Sequence, residues 1–286
     1  MLENNKSFFS KVLLAGEYTV MTNGIALAIP FPVFSGRFEI RKGATQSALF
    51  RLYDYLKEND MQEYINLDEM DAALKNGLYY HSDIPIGYGL GSSGALTAAL
   101  YERFGKNKSN DPQQLKAILG KIESAFHGTS SGMDPFVSYT GKPVLFTRDG
   151  IQIIKEHELN LQHFFLIDSG ISRSTAHYVD IFKQKLHSSA DYTDQIKSLE
   201  RINQSLIQAV FSADSEALKN CMKAISTLQY DLFQEMIPYD FKSLWSAGLQ
   251  SDTYCFKLCG AGGGGMLLGW SEQKVLPFEY PVYWIR

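Results

Sequence analysis

A chain of 286 residues with 45% hydrophobic content is long enough for one large domain or two modest ones around a substantial core. Its net charge of −4, with 27 Lys and Arg scattered among 31 Asp and Glu, gives no basic footprint and argues against a nucleic-acid partner. No apolar run reaches the ~20 residues of a membrane span, and the opening MLENNKSFF lacks the charged-then-apolar order of a signal peptide, so a cytoplasmic protein is expected. Cys221, Cys255 and Cys259 are odd in number and lack paired CxxC spacing, which reads as reduced, mostly buried thiols rather than a disulfide or metal framework.

In chain order, strand-like runs occur at Phe8–Leu14, Ile25–Pro30, Ser35–Arg41 and Leu78–Ile84, with a helix expected near Gln62–Lys75. An apolar, alanine-rich helix follows Ser92-Ser93. Asp111-Pro112 then opens another, with an N-cap residue, proline at the first helical position and Gln114 at the third. The second half becomes helix-rich. Strands at Pro143–Thr147 and His163–Asp168 give way to helical patterns over Ser174–Leu186, Thr193–Ser212 and Glu216–Met236. The mixture predicts an α+β fold, and turn chemistry at Asp149-Gly150 suggests a boundary between residues 1–150 and 151–286.

Three segments stand out from this background. In IPIGYGLGSSGALTAAL, from Ile84 to Leu100, Gly87, Gly89 and Gly91 can take positive φ around Leu90, so that successive N–H groups turn toward an anion. Ser92 and Ser93 open the helix, whose unsatisfied N–H groups and dipole favour a polyphosphate, although Ser92 reads equally well as a plain cap. No Lys follows the glycines, so this is not a Walker A loop and a cation must come from elsewhere. The second segment, KLCGAGGGGMLLGW from Lys257 to Trp270, has five glycines among the six residues from Gly260 to Gly265. Each glycine costs up to ~1 kcal/mol relative to alanine, more than a structural hairpin needs. The third, FFSKVLLAGEYTVMTNGIALAIP, places one Lys, Lys11, in an apolar strand before Gly16, Glu17 and Tyr18. A lone strand Lys ordinarily snorkels from an edge.

In this order, the three segments resemble the three motifs of the GHMP kinase superfamily. Within it the mevalonate kinase branch is most similar: HGTSSGMDPFVSYTG, from His127 to Gly141, resembles that family's HGxPSGxDNxxSxxG segment. FFLIDSGISRSTAHYV, Phe164 to Val179, resembles its strand and Thr-bearing loop. The resemblance implies a strand-rich N-terminal α/β domain and a helix-rich C-terminal α+β domain, with the active site in the cleft between them. It further implies ATP and Mg²⁺ as cofactors and a small-molecule acceptor, in a monomer or homodimer.

Site residues follow from the same resemblance. Phosphoryl transfer needs a phosphate cradle, a divalent metal and a group that orients or deprotonates the attacking hydroxyl. The cradle corresponds to Gly87 and to Gly89 through Ser93. Ser93 and Glu123 correspond to the magnesium ligands, Glu123 lying eleven residues before Asp134 as the family's Glu lies before its catalytic Asp. Asp134 corresponds to the residue beside the acceptor hydroxyl, and Lys11 to its paired cation. Glu17, Tyr18, Arg173, Thr175, Gly260, Ala261 and Gly262 correspond to the substrate-binding set. His127 is expected to pack or cap rather than ligate.

Two departures bear on the substrate. Tyr18 stands where mevalonate kinases commonly place a substrate-side His, and GEY is instead typical of phosphomevalonate kinases; Pro135 replaces the Asn common after the Asp. Against that, Arg173 is the only Arg in its loop, a modest provision for a second phosphate. The resemblance implies ATP-dependent phosphorylation of mevalonate, then of phosphomevalonate as the alternative, with a non-catalytic sensor as the reading from another class.

Overall fold

The computed structural model describes residues 6–173 and 175–285, with the side chains of His127 and Thr175 outside that description. The strands and helices are, in chain order, β1 (Phe8–Ala15), β2 (Ala26–Ile40), α1 (Ser47–Glu58), α2 (Leu67–Lys75), β3 (Leu78–Ser82), α3 (Ser92–Phe104), α4 (Pro112–His127), α5 (Met133–Thr140), β4 (Val144–Phe146), β5 (Ile151–Ile153), β6 (Phe164–Asp168), α6 (Thr175–Ser188), α7 (Ala190–Ser212), α8 (Ser215–Leu232), α9 (Tyr239–Ser251), β7 (Cys255–Leu258), β8 (Met266–Trp270) and β9 (Val282–Trp284). The fold is α+β, with antiparallel sheets. Among the described residues no helix is long and apolar enough to cross a membrane.

Two compact units divide the chain. One comprises the stretch ending at Lys11 together with Pro30–Pro85 and Gly91–Lys142; the other comprises Val12–Ile29, Ile86–Leu90 and Pro143 onward. This differs from a single cut near Asp149-Gly150, because β1 and β2 each run from one unit into the other. Pro30 and Pro32 do not end β2, which continues through them as one strand where the sequence pattern suggests two. Proline lacks only the N–H donor, so a strand survives it where no ladder bond is required.

In the first unit, the far half of β2 pairs antiparallel with β3, from Gly36 opposite Ser82 to Ile40 opposite Leu78. α3 buries Ala95, Ala98, Ala99, Leu100, Tyr101 and Phe104, and its small residues let a neighbouring backbone come close. A Cβ added to Gly94 would lie 2.9 Å from the Asp134 carbonyl carbon and 2.9 Å from Pro135 N, so this glycine sets the approach of α3 to α5. Asp111 caps α4 as its sequence predicts, Oδ1 accepting from Gln114 N at 2.7 Å. The helix expected over Gln62–Lys75 starts only at Leu67, capped by Asn66, and α1 precedes it.

In the second unit, a four-stranded antiparallel sheet has the order β7-β8-β6-β9. β6 and β8, fixed from Phe164 opposite Trp270 to Asp168 opposite Met266, are almost wholly buried, which is why they read as continuous apolar runs. α7 and α8 bury stripes at helical spacing, Ile196, Leu199, Leu206 and Val210 on one and Leu218, Met222, Ile225 and Leu232 on the other. The single helix expected through Met236 stops at Leu232; a short 3₁₀ turn and α9 follow, with the Trp245 indole donating to Ser226 Oγ at 2.8 Å. Cys255 and Cys259 are buried and Cys221 half-buried, all as thiols.

Candidate active site

Within the first unit the sequence-selected residues converge. Lys11 lies in β1 with its side chain only 6% exposed, and its ammonium is 3.1 Å from Asp134 Oδ2, whereas the Asp134 side chain is 39% exposed. An edge Lys would reach for water; this one is committed to a carboxylate that itself remains open. Asp134 occupies the first turn of α5, where the N-terminal end of the dipole favours an anion. Gly91, at φ 72, sits over the pair: a Cβ there would lie 3.0 Å from Lys11 Cγ and 3.4 Å from Asp134 Oδ2.

Glu123 of α4 is the second buried acid, 4% exposed. Ser93 Oγ donates to its Oε1 at 2.9 Å and Ser130 Oγ donates to its Oε2 at 2.5 Å, while Ser130 Oγ accepts from Gly132 N at 3.0 Å. Burial, reinforced by the negative charge of Asp134, pushes the Glu123 carboxyl up to about 7, against the two serine hydrogen bonds and the charge of Lys11. A carboxylate so placed is electrostatically underpaid for its charge and suits a hard cation. Among the described residues no group of three or more His, Cys, Asp or Glu forms a self-sufficient metal cage. Mg²⁺ takes one or two carboxylates and completes its shell with water and phosphate oxygens. Ser130 was not singled out by the sequence; only its place in the segment leading to Asp134 hinted at it.

Ser92 is the first helical residue of α3 and Gly91 is the cap, without a side-chain capping bond, so Ser92 is not the cap. A helix that starts at a glycine cap is the kind of terminus at which backbone N–H groups bind anions.

The second unit joins three loops. Arg173 N donates to Gly87 O at 3.3 Å, Ser172 Oγ to Ile86 O at 3.1 Å, Gly265 N to Ile171 O at 2.7 Å and Met266 N to Tyr88 O at 3.2 Å. The Arg173 guanidinium lies against both glycine loops: a Cβ at Gly89 would come within 2.9 Å of its Nη2, and one at Gly260 within 3.0 Å. Leu90 is buried and anchors the end of this segment. Thr175 begins α6, but its side chain, like that of His127, lies outside the described residues.

Glu17 and Tyr18 are also enclosed, at 1% and 5% exposure. Glu17 pairs with Lys257 of β7, itself fully buried, and the Tyr18 hydroxyl donates to Ala261 O at 2.6 Å. Gly262 is buried beneath Met236, whose carbonyl accepts from Gly263 N at 2.5 Å. Lys257 is a residue that the sequence reading passed over, although a lone Lys among apolar strand residues is the same signal that marked Lys11.

Residues 49–142 match the family described as GHMP kinases N terminal domain. This match bears out the resemblance to GHMP kinases carried by the glycine-rich segments. The chain is 28% identical over 273 residues to the mevalonate kinase of Archaeoglobus fulgidus, covering 91% of this chain and 89% of that protein. It is 25% identical over 299 residues to the mevalonate kinase of Thermococcus sibiricus, covering 93% and 88%. Its fold is that of the L. major mevalonate kinase in complex with R-mevalonate, at a TM-score of 0.68 and 18% identity over 95% of this chain and 88% of that one. It is equally that of the Streptococcus pneumoniae phosphomevalonate kinase in complex with phosphomevalonate and AMPPNP, at 0.66 and 16% over 94% and 92%.

Proposed function

We propose that this protein is a GHMP kinase that transfers the terminal phosphoryl group of ATP to the distal hydroxyl of mevalonate. The observation that carries the proposal is the Lys11–Asp134 pair, a buried ammonium held at 3.1 Å against a half-open carboxylate. Asp134 faces the acceptor hydroxyl, orients it and receives its proton as the oxygen–phosphorus bond forms and the bond to the ADP oxygen breaks. Lys11 stabilises charge gathering on the transferring group. The first-turn N–H groups of α3 donate to phosphate oxygens, and Ser93 and Glu123 would hold Mg²⁺, which would supply neutralisation of phosphate charge.

Arg173 offers a planar guanidinium suited to a carboxylate, with Thr175 as its proposed companion. The alternative acceptor is phosphomevalonate, favoured by one observation, Tyr18 following Glu17. Purified protein with ATP, Mg²⁺ and, separately, mevalonate, phosphomevalonate, homoserine and galactose should release ADP with mevalonate. A protein that binds nucleotide and mevalonate yet releases no ADP with any of the four is a sensor, and the proposal fails.

A further inference from the structure

Lys257 stands in β7 between Phe256 and Leu258, fully enclosed, where a strand has no need of charge. Its ammonium pairs with Glu17 and also donates to Leu258 O at 2.8 Å. Desolvating two charges costs about as much as their attraction returns, so such a pair is poor at stabilising a fold and good at fixing positions. Glu17 reaches it by an unusual route. Thr19 N donates to Glu17 O at 2.7 Å across Tyr18, whose φ of 62° and ψ of −42° make a γ-turn of the rare positive-φ kind. A bulky residue in that conformation is strained and persists only where its surroundings over-determine it.

The strain has a visible result. The turn sends two adjacent side chains to one loop, Glu17 to Lys257 at its approach and the Tyr18 hydroxyl to Ala261 O within it. Gln229 of α8 completes the hold, its Oε1 accepting from Leu258 N at 2.7 Å. Side chains thus bond the Leu258 N–H and carbonyl and the Ala261 carbonyl, in addition to the sheet pairing of Leu258 opposite Leu267. Beyond them Gly260, Gly262, Gly263, Gly264 and Gly265 all have positive φ, a conformation that five glycines would otherwise lose much chain entropy to adopt on meeting a ligand.

We propose that Glu17, Tyr18, Lys257 and Gln229 form a clasp that pre-shapes the loop Gly260–Gly265 for its ligand. They are positioning residues. Tyr18 acts through the Ala261 carbonyl, its ring packed at 4.7 Å from Phe182 and 4.8 Å from Phe233, in place of a direct substrate contact. The inference rests on the kinase reading for the identity of the ligand, but the clasp itself does not.

Tyr18→Phe removes the hydroxyl and keeps the ring. Losing one such hydrogen bond should speed amide hydrogen exchange over residues 260–265 by about tenfold, with exchange in β6 and β8 unchanged and the acceptor KM raised several-fold at nearly constant kcat. The double variant Glu17→Gln, Lys257→Met, which leaves no buried charge unpaired, should loosen the same segment. Exchange at 260–265 equal to wild type in both variants, a rise spread evenly over β6 and β8, or local loosening with an unchanged KM would each overturn the proposal. If the wild type releases no ADP, the kinase reading has failed, and the exchange data still decide whether the clasp exists.

Discussion

Lys11 Nζ lies 3.1 Å from Asp134 Oδ2, joining the first strand of the chain to the start of α5 across more than a hundred residues of sequence. The side chain of one partner is buried and that of the other open, so the pair presents a single accessible carboxylate backed by a fixed cation. Asp134→Asn keeps the shape and removes the charge. Turnover should fall by at least ~10²-fold, the contribution of a positioned acid–base or electrostatic group, while nucleotide binding measured by calorimetry persists. Wild-type turnover in the variant would remove Asp134 from the chemistry.

Glu123 makes a prediction about pH as well as metal. Its folded-state pKa, pushed up to about 7 from an ordinary 4.5, means that the folded protein holds this proton more tightly than the unfolded chain does. The associated stability is fully present below about 4.5 and is lost as pH rises toward about 7. In EDTA, the melting temperature of wild type should therefore decline relative to Glu123→Gln across that window and run parallel above it. Mg²⁺ favours the ionised form and should shrink the difference, while the variant should need more Mg²⁺ for turnover. Overlaid melting curves and overlaid Mg²⁺ titrations would make Glu123 an ordinary helix residue.

Gly94 tests the close approach of α3 to α5. An added Cβ meets backbone atoms of Asp134 and Pro135 at 2.9 Å, so the helices must part. Gly94→Ala should destabilise by ~1–3 kcal/mol, as overpacking does, and should lower kcat by moving Asp134. Denaturant unfolding and steady-state kinetics on the same preparation check both; an unchanged midpoint would show that the contact gives way freely.

Arg173 is proposed to meet the acceptor's carboxylate. Such a contact is made equally in ground and transition states, so Arg173→Ala should chiefly raise the acceptor KM, by ~10-fold or more, with kcat less affected. A fall in kcat at constant KM would instead place the guanidinium on the transferring phosphoryl group.

Much of this was readable in the chain because the relevant signals are local. Lys11 interrupts an apolar strand, the glycine runs are too dense for simple turns, and Glu123 and Asp134 keep a spacing that a helix and a loop can bridge. What escaped is what depends on partners distant in sequence. Glu17 looks like a substrate ligand until its partner, Lys257, is found 240 positions away, and Ser130 looks like turn filler until it is seen bonded to Glu123. Elements were missed for the opposite reason, that local signals mislead: Pro30 and Pro32 imitate a strand break within β2. Similarly, α9 has only Pro238 at its cap position and no side-chain capping bond, so nothing local announces its start.

The most direct test is the ratio of kcat/KM for mevalonate to that for phosphomevalonate, measured by ADP release with ATP and Mg²⁺ on one preparation of the wild type. A single guanidinium in the Arg173 loop provides for one carboxylate and little more, so the ratio should exceed ~10, the factor that about 1.4 kcal/mol of differential binding supplies. A ratio below one, or no ADP from either acceptor, would contradict the account.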